Sequence, residues 1–222
     1  MKVPLLFLGD SHISYFRVAA QYGMFQPRPC RFCEVPGATA LGLENPNSAT
    51  NALVVFQQCL SEIDRPVIVV MQLGEVDCGF VIWYRSQKYA EDIADQMRES
   101  IKTYFAFVDS WLERGFTRFI ITGAVLPTIR DGVDWGDVAN KRREVSVPLL
   151  QRTQLTIQYN DELRKKALAR GLPFVDITDD ILDTQTGLLS DYFRNPNQAD
   201  HHLHYKRAAK CWARRLNKVL SE

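Results

Sequence analysis

Residue types that together can activate a serine occur at opposite ends of this chain. Ser11 stands near the start, within the run Asp10-Ser11-His12, and the segment Asp200–His204 near the end holds three of the four histidines of the chain. A serine hydroxyl becomes a good nucleophile when an imidazole accepts its proton, and a carboxylate fixes the tautomer of that imidazole. The chain therefore carries the parts for nucleophilic attack by Ser11, provided that the fold brings its two ends together.

The sequence around Ser11 predicts where this serine lies. The apolar run Val3–Leu8 is typical of a buried parallel strand, and Gly9 after it permits a tight turn. Helical spacing follows over Ile13–Tyr22. Ser11 would then lie between the end of a strand and the start of a helix, where unpaired N–H groups favour negative charge. The same position also suits a serine that only caps the helix.

Strand-like and helix-like segments alternate along the rest of the chain. The predicted strands are Val3–Leu8, Arg31–Val35, Pro66–Leu73, Thr117–Val125 and Pro173–Ile177. The further predicted helices are Ser48–Glu62, Lys88–Arg114, Leu149–Arg170 and Tyr205–Leu220. This alternation predicts an α/β protein with a parallel sheet covered on both faces, in one domain over residues 1–222. Ligands bind such sheets at the carboxyl ends of the strands, where polar and glycine-rich segments follow most of the predicted strands.

The motifs at these strand ends resemble those of the SGNH (GDSL-like) hydrolase superfamily over the whole chain. Gly9-Asp10-Ser11 matches the first block, Gly37 the glycine of the second, and Gly74-Glu75-Val76-Asp77 the third. Asp200 and His202 fall where the fifth block supplies an acid and a base. The segments VPGATALGLENPNS and LGEVDCG resemble the sequences of a bacterial subgroup associated with surface-polysaccharide gene clusters.

The resemblance implies a three-layer, flavodoxin-like fold with a central five-stranded parallel sheet. It implies cleavage or transfer of ester-linked acyl groups without a metal or other cofactor. Ser11 would be the nucleophile, His202 the base and Asp200 its orienting acid. The backbone N–H groups of Ser11, Gly37 and Gly74 would form the oxyanion hole. Other polar residues could line the same site: Asp10, His12, Glu75, Asp77 and His204.

Two departures from the family pattern bear on the chemistry. Val76 stands where the family has an asparagine that donates to the oxyanion, and loss of one such donor costs about 10²–10³ in rate in other enzymes. Asp200 precedes His202 by two residues rather than three, because Ala199 occupies the expected place. Leu203 after His202 fits the family's His-Leu pair, whereas His201 and His204 remain alternative bases.

Composition excludes several classes of protein. A formal net charge of +1 predicts no nucleic-acid partner, and no apolar run approaches the ~20 residues of a membrane span. Five cysteines without an export signal predict a cytoplasmic protein with reduced thiols. A metal site is not expected, although Cys30-x-x-Cys33 or the late histidines are the residues that could form one.

The sequence thus predicts a serine esterase that removes an O-acyl group, acetyl above all, from a carbohydrate or related small ester. An acyltransferase with the same residues and a non-catalytic glycan-binding module are the alternatives. Trp83, Tyr84 and Trp135, in predicted loops, could stack on sugars, and the polar stretch Ile129–Pro148 could be a lid. The sequence does not indicate an oligomeric state.

Overall fold

Five parallel strands form the centre of the protein in the computed structural model, which describes residues 2–132, 145 and 147–221. They are β1 (Leu5–Gly9), β2 (Cys30–Glu34), β3 (Ile68–Gln72), β4 (Phe119–Thr122) and β5 (Phe174–Val175). Their order across the sheet is β2-β1-β3-β4-β5, and each neighbouring pair is parallel. The chain reverses direction across the sheet after β2, so a crevice for ligands is expected beside β1.

Helices connect the strands. They are α1 (Ser14–Gln21), α2 (Ala52–Ser61), α3 (Ile82–Tyr89), α4 (Ile93–Glu113), α5 (Leu149–Leu168), α6 (Thr178–Ile181) and α7 (Tyr205–Ser221). A small antiparallel hairpin, β6 (Leu182–Asp183) and β7 (Leu188–Leu189), was not predicted. None of the helices in the described residues is long and apolar enough to cross a membrane. The predicted α/β fold with a five-stranded parallel sheet is confirmed.

The side chains of β1 explain why its sequence is a continuous apolar run. Leu6 and Leu8 belong to the core on the face covered by α2, α4 and α5. Leu5 and Phe7 belong to the core on the face covered by α1 and α7. Successive side chains of a strand point to opposite faces, and here both faces are buried under helices. The protein therefore has three layers, with helices on both sides of the sheet, and Ser11 lies at the edge of the sheet.

The predicted helix Lys88–Arg114 is wrong at its start. Helix α3 ends at Tyr89, Ala90 has the left-handed φ of 55°, and Asp92 caps α4 by accepting a hydrogen bond from the backbone N–H of Asp95. A residue with positive φ cannot continue a right-handed helix, so one periodic stretch becomes two helices.

The prediction that Trp83 and Tyr84 lie in loops is also wrong, because both belong to α3. Trp83 is 8% exposed and its Nε1 donates to the carbonyl of Cys78, so its indole is part of the core. Trp135 and most of the predicted lid lie outside the described residues.

Candidate active site

Ser11 follows β1 in a tight turn that its neighbours hold in place. The buried Asp10 accepts the backbone N–H of His12 at 2.8 Å and caps a single 3-10 turn over Ser11–Ile13. A Cβ atom on Gly9 would lie 2.2 Å from the carbonyl oxygen of Gln72, so only glycine fits there. The local sequence therefore places Ser11 at the carboxyl edge of the sheet, as predicted.

The loop before α7 holds Asp200 and His202 against each other. Oδ1 of Asp200 accepts the backbone N–H of His202 at 2.9 Å and lies 2.6 Å from Nδ1 of the same residue. Oδ2 of Asp200 accepts the side-chain amide of Asn195 at 2.9 Å. An aspartate that accepts the N–H two residues ahead forms an Asx turn, which explains how the two-residue spacing still brings the carboxylate to the imidazole.

Ser11 and His202 meet across the fold, although 190 residues separate them in sequence. Nε2 of His202 lies 3.0 Å from Oγ of Ser11. Because Asp200 engages Nδ1, a neutral ring carries its proton there and leaves Nε2 free to accept the serine proton. The loop is fixed beside β1 by Tyr15, whose hydroxyl accepts the backbone N–H of Leu203 at 2.7 Å.

The electrostatic surroundings of His202 favour a neutral ring. Burial lowers the pKa of His202, the positive charge of His12 lowers it further, and the hydrogen bond to Asp200 opposes both. Burial raises the pKa of Asp200, but the hydrogen bonds from His202 outweigh it and the net pKa lies below the usual range. Asp200 is therefore a carboxylate and His202 a free base at neutral pH.

The other late histidines have different partners. The backbone carbonyl of His201 accepts the hydroxyl of Thr128, and its ring lies 4.2 Å from the His202 ring by centroids. His204 faces a cavity beside Asp200, and its buried Nδ1 has no hydrogen-bond partner among the described residues. Of the three candidate bases in the sequence, His202 is hydrogen-bonded to Ser11 through Nε2.

The two glycines predicted to donate to an oxyanion lie in turns that follow strands of the sheet. Gly37 has a φ of 75° in the turn after β2, and Gly74 has a φ of 116° after β3. Val76 follows as a half-exposed residue at the start of a π-helical turn, Asp77–Val81. The valine side chain offers no hydrogen-bond donor, so backbone N–H groups are the oxyanion donors that this part of the chain can supply.

Asp77 lies near these glycines but is turned toward the loop after β2. Its carboxylate accepts the backbone N–H groups of Ala40 at 2.8 Å and Leu41 at 3.2 Å, and the hydroxyl of Ser100 at 2.9 Å. Burial raises its pKa to about 6, against the opposing effect of these hydrogen bonds. The contacts tie the loop that carries Gly37 to the core of the protein.

His12 lies behind the serine in a fully buried polar group. Its Nδ1 lies 2.9 Å from Oδ1 of Asp10, its Nε2 lies 4.0 Å from Oε2 of Glu75, and its ring centroid lies 4.8 Å from that of His202. Asp10, His12 and Glu75, all predicted as possible lining residues, are therefore adjacent to the Ser11–His202 pair.

Within the described residues, one group of three histidines could hold a metal ion. Ring nitrogens of His12, His201 and His202 lie within 4.8 Å of one another. However, Asp10 and Asp200 already engage Nδ1 of two of these rings. A metal there would have to displace Ser11 from Nε2 of His202.

Cys30 and Cys33 do not form a pair. They lie three residues apart on β2, and Cys30 packs on one face of the sheet while Cys33 packs in the core on the other. Because an odd spacing on a strand places side chains on opposite faces, the two thiols cannot share a metal ion.

Sequence reasoning missed two features of the site. Asn195 anchors Asp200, and three arginines, Arg130, Arg194 and Arg207, line the cavity beside His202. These residues come from separate segments that carry no shared motif, so no spacing in the sequence could have grouped them.

Comparison with known proteins finds relatives by structure only. No protein-family model matches the chain, and no curated protein matches its sequence. A protein of Bacteroides fragilis to which an acylhydrolase activity is ascribed superimposes with a TM-score of 0.66 at 14% identity, covering 100% of this chain and 90% of that one. A GDSL-like lipase of Bacteroides thetaiotaomicron gives 0.60 at 14% identity, with 98% and 87% covered. An acetyl xylan esterase gives 0.60 at 14% identity, with 98% and 99% covered.

These structures define the class of fold. The chain has the three-layer α/β fold of the SGNH (GDSL-like) hydrolases over its whole length, as the sequence resemblance implied. The resemblance to a polysaccharide-cluster subgroup stays a prediction.

Proposed function

We propose that this protein is a serine ester hydrolase of the SGNH type. The observation that carries the proposal is the chain of contacts from Ser11 Oγ to His202 Nε2, at 3.0 Å, and from His202 Nδ1 to Asp200 Oδ1, at 2.6 Å. Both distances lie within hydrogen-bond reach, which a nucleophile, its base and the orienting acid require. The esterases and lipases among the structural relatives support the same reaction class.

The reaction follows from these positions. Ser11 Oγ attacks the acyl carbon of the ester while its proton passes to Nε2 of His202. The imidazolium, stabilised by Asp200, returns that proton to the departing alcohol and leaves an acyl-serine. A water molecule, deprotonated by His202, then attacks the acyl-serine and releases the acid.

The developing oxyanion needs donors on the opposite side of the acyl carbon. The backbone N–H groups of Ser11, Gly37 and Gly74 take this role in the proposal, since they belong to the turns that follow β1, β2 and β3. With Val76 in place of an asparagine, the hole has one side-chain donor fewer. We expect a lower kcat than in family members that have the asparagine, by about 10²-fold.

The substrate in this proposal is an O-acetyl ester of a carbohydrate or a related small ester. An acetyl xylan esterase with the same fold, matched over 98% of this chain, supports this class. An acyltransferase would use the same three residues, with a sugar hydroxyl in place of water in the second step.

The experiment is hydrolysis of p-nitrophenyl acetate, with propionyl to octanoyl esters as comparison. Ser11→Ala and His202→Ala are expected to lower kcat by about 10³-fold or more, whereas His204→Ala retains turnover. A fluorophosphonate should label the wild type and fail to label Ser11→Ala, as mass spectrometry will show. Activity that survives His202→Ala would overturn the assignment of the base. A wild type that neither turns over nor reacts would favour a glycan-binding module.

A further inference from the structure

A cavity of about 390 Å³ opens beside the proposed catalytic pair. Asp200 and His202 both line it, together with Arg130, Arg194 and Arg207. Its volume lies within the range of about 300–1,000 Å³ found for small-molecule sites. Because His202 also contacts Ser11, a group bound in this cavity lies close enough to belong to the same substrate molecule as an ester held at Ser11.

Two of the three arginines share one carboxylate. Oδ1 of Asp191 accepts from Nη2 of Arg130 at 2.7 Å and from Nε of Arg194 at 2.8 Å. The side chain of Arg194 is only 13% exposed, and burial lowers its pKa. Nη1 of Arg194 donates to the backbone carbonyl of Thr128 at 2.6 Å, which is a neutral partner. Among the described residues, the negative charge at ion-pair distance from Arg194 is therefore a carboxylate that it shares with Arg130.

Arg207 has no carboxylate within ion-pair distance among the described residues. Its Nη1 donates to the backbone carbonyl of Tyr192, and its Cζ lies 4.0 Å from the centre of the Tyr192 ring. Stacking and this hydrogen bond fix the plane of the guanidinium while other N–H groups stay available. A fixed guanidinium of this kind is suited to an oxyanion.

The start of α7 forms part of the same cavity wall. His204 and Arg207 both line the cavity and bracket the start of this 17-residue helix. The N-terminus of a helix carries a partial positive charge, which favours an anion beside it.

We propose that this cavity is a subsite for an oxyanion group, a carboxylate or a phosphate, on the substrate whose ester Ser11 attacks. The proposal rests on the proposed function for the position of the ester, and it narrows the substrate to an acidic or phosphorylated sugar ester. Three guanidinium groups there face two carboxylates, and both oxygens of Asp200 are already engaged by His202 and Asn195.

Binding without turnover tests the proposal. The probes are glucuronate, glucose 6-phosphate and neutral glucose, titrated by calorimetry into the Ser11→Ala protein. We expect at least one charged sugar to bind about tenfold or more tightly than glucose. Adding Arg207→Gln should remove that preference, and Arg207→Lys should restore part of it. The control is Lys210→Gln, which removes one charge from an exposed position of the same helix outside the cavity.

Each outcome has one meaning. If only glucuronate binds tightly, the subsite binds a carboxylate. If only glucose 6-phosphate binds tightly, it binds a phosphate. Equal or absent binding of all three sugars overturns the subsite, as does a preference that survives Arg207→Gln or is lost equally in Lys210→Gln. Circular dichroism checks that each variant is folded. Charged sugars that bind a protein whose wild type hydrolyses no ester would instead overturn the proposed function and leave the subsite standing.

Discussion

His12 and His202 face each other with their ring centroids 4.8 Å apart, and each is held in the same way by an aspartate two residues earlier. In both cases Oδ1 of the aspartate accepts the backbone N–H of the histidine and contacts its Nδ1. The two rings differ in what Nε2 meets: Ser11 Oγ at 3.0 Å for His202, and Glu75 Oε2 at 4.0 Å for His12. Two similar imidazoles this close must influence each other's protonation.

That influence gives a prediction for the pKa of His202. Burial and the charge of His12 lower it, so we expect the NMR titration of its ring in wild type to have a midpoint below about 6.5. His12→Asn removes a cationic neighbour and should raise the midpoint. Asp200→Asn removes the carboxylate that opposes the shift and should lower it.

The same shift sets the pH dependence of activity. A base must be neutral to accept the serine proton, so kcat/KM should rise with pH through the pKa of His202 and stay high above it. The acid limb in wild type should therefore lie below about pH 6.5 and move upward in His12→Asn. Identical titrations in wild type and His12→Asn would contradict the proposed coupling.

Asn195 gives a further prediction, as a positioning residue. Its amide donates to Oδ2 of Asp200 at 2.9 Å and so fixes the carboxylate that orients His202. Asn195→Ala should lower kcat by about tenfold, the worth of one hydrogen bond to a charged group, with little change in KM. Steady-state kinetics with p-nitrophenyl acetate measure both constants. The control is Asn217→Ala, which loses a hydrogen bond to the Met24 carbonyl far from Ser11. A fall in kcat of similar size in the control would argue against a positioning role.

Asp77 gives a prediction on stability. Its pKa is about 6 in the folded protein and about 3.8 for a free carboxyl, so between these values the folded state binds more protons than the unfolded state. Stability must then fall as pH rises, by up to about 3 kcal/mol for this group. Urea unfolding of wild type and Asp77→Asn from pH 4 to 7 isolates the effect. The difference in unfolding free energy, wild type minus variant, should decrease with pH; a constant difference would contradict the shifted pKa.

Much of the fold could be predicted from the sequence because local patterns decide it. The apolar run before Gly9 indicated a strand buried on both faces, and β1 is one. The break between α3 and α4 could not be predicted, since Ala90 is a good helix former that adopts a left-handed φ only in the folded context.

The candidate site also has a part that the sequence predicts and a part that it does not. Ser11, Asp200 and His202 were singled out by residue type and by motif, and the fold brings these three side chains into contact. The cavity lined by Arg130, Arg194 and Arg207 could not be predicted from the sequence, because these charges come together only through tertiary packing. Asp77 resembled a lining residue in sequence, yet its carboxylate faces backbone N–H groups of a neighbouring loop.

Gly74 gives the last prediction, because two constraints meet at this residue. Its φ of 116° is rare for residues with a side chain, and a Cβ there would lie 2.6 Å from a ring carbon of Tyr159. Gly74→Ala should lower the free energy of unfolding by about 3 kcal/mol or more, from backbone strain and overpacking together. The control is Gly171→Ala, whose φ is 66° and whose Cβ would meet no atom within 4 Å, so that backbone strain of about 1 kcal/mol is its only cost.

The effect of Gly74→Ala should also reach the proposed oxyanion hole. The hydroxyl of Tyr159 lies 3.0 Å from Ser100 Oγ, and Ser100 donates to Asp77, which holds the loop of Gly37. A displaced Tyr159 ring would therefore disturb that loop. We expect kcat for p-nitrophenyl acetate to fall in Gly74→Ala under conditions where the variant is fully folded, and to be retained in Gly171→Ala. Equal stability of the two variants would mean that the Tyr159 ring yields freely, and that the close approach at Gly74 does not constrain the site.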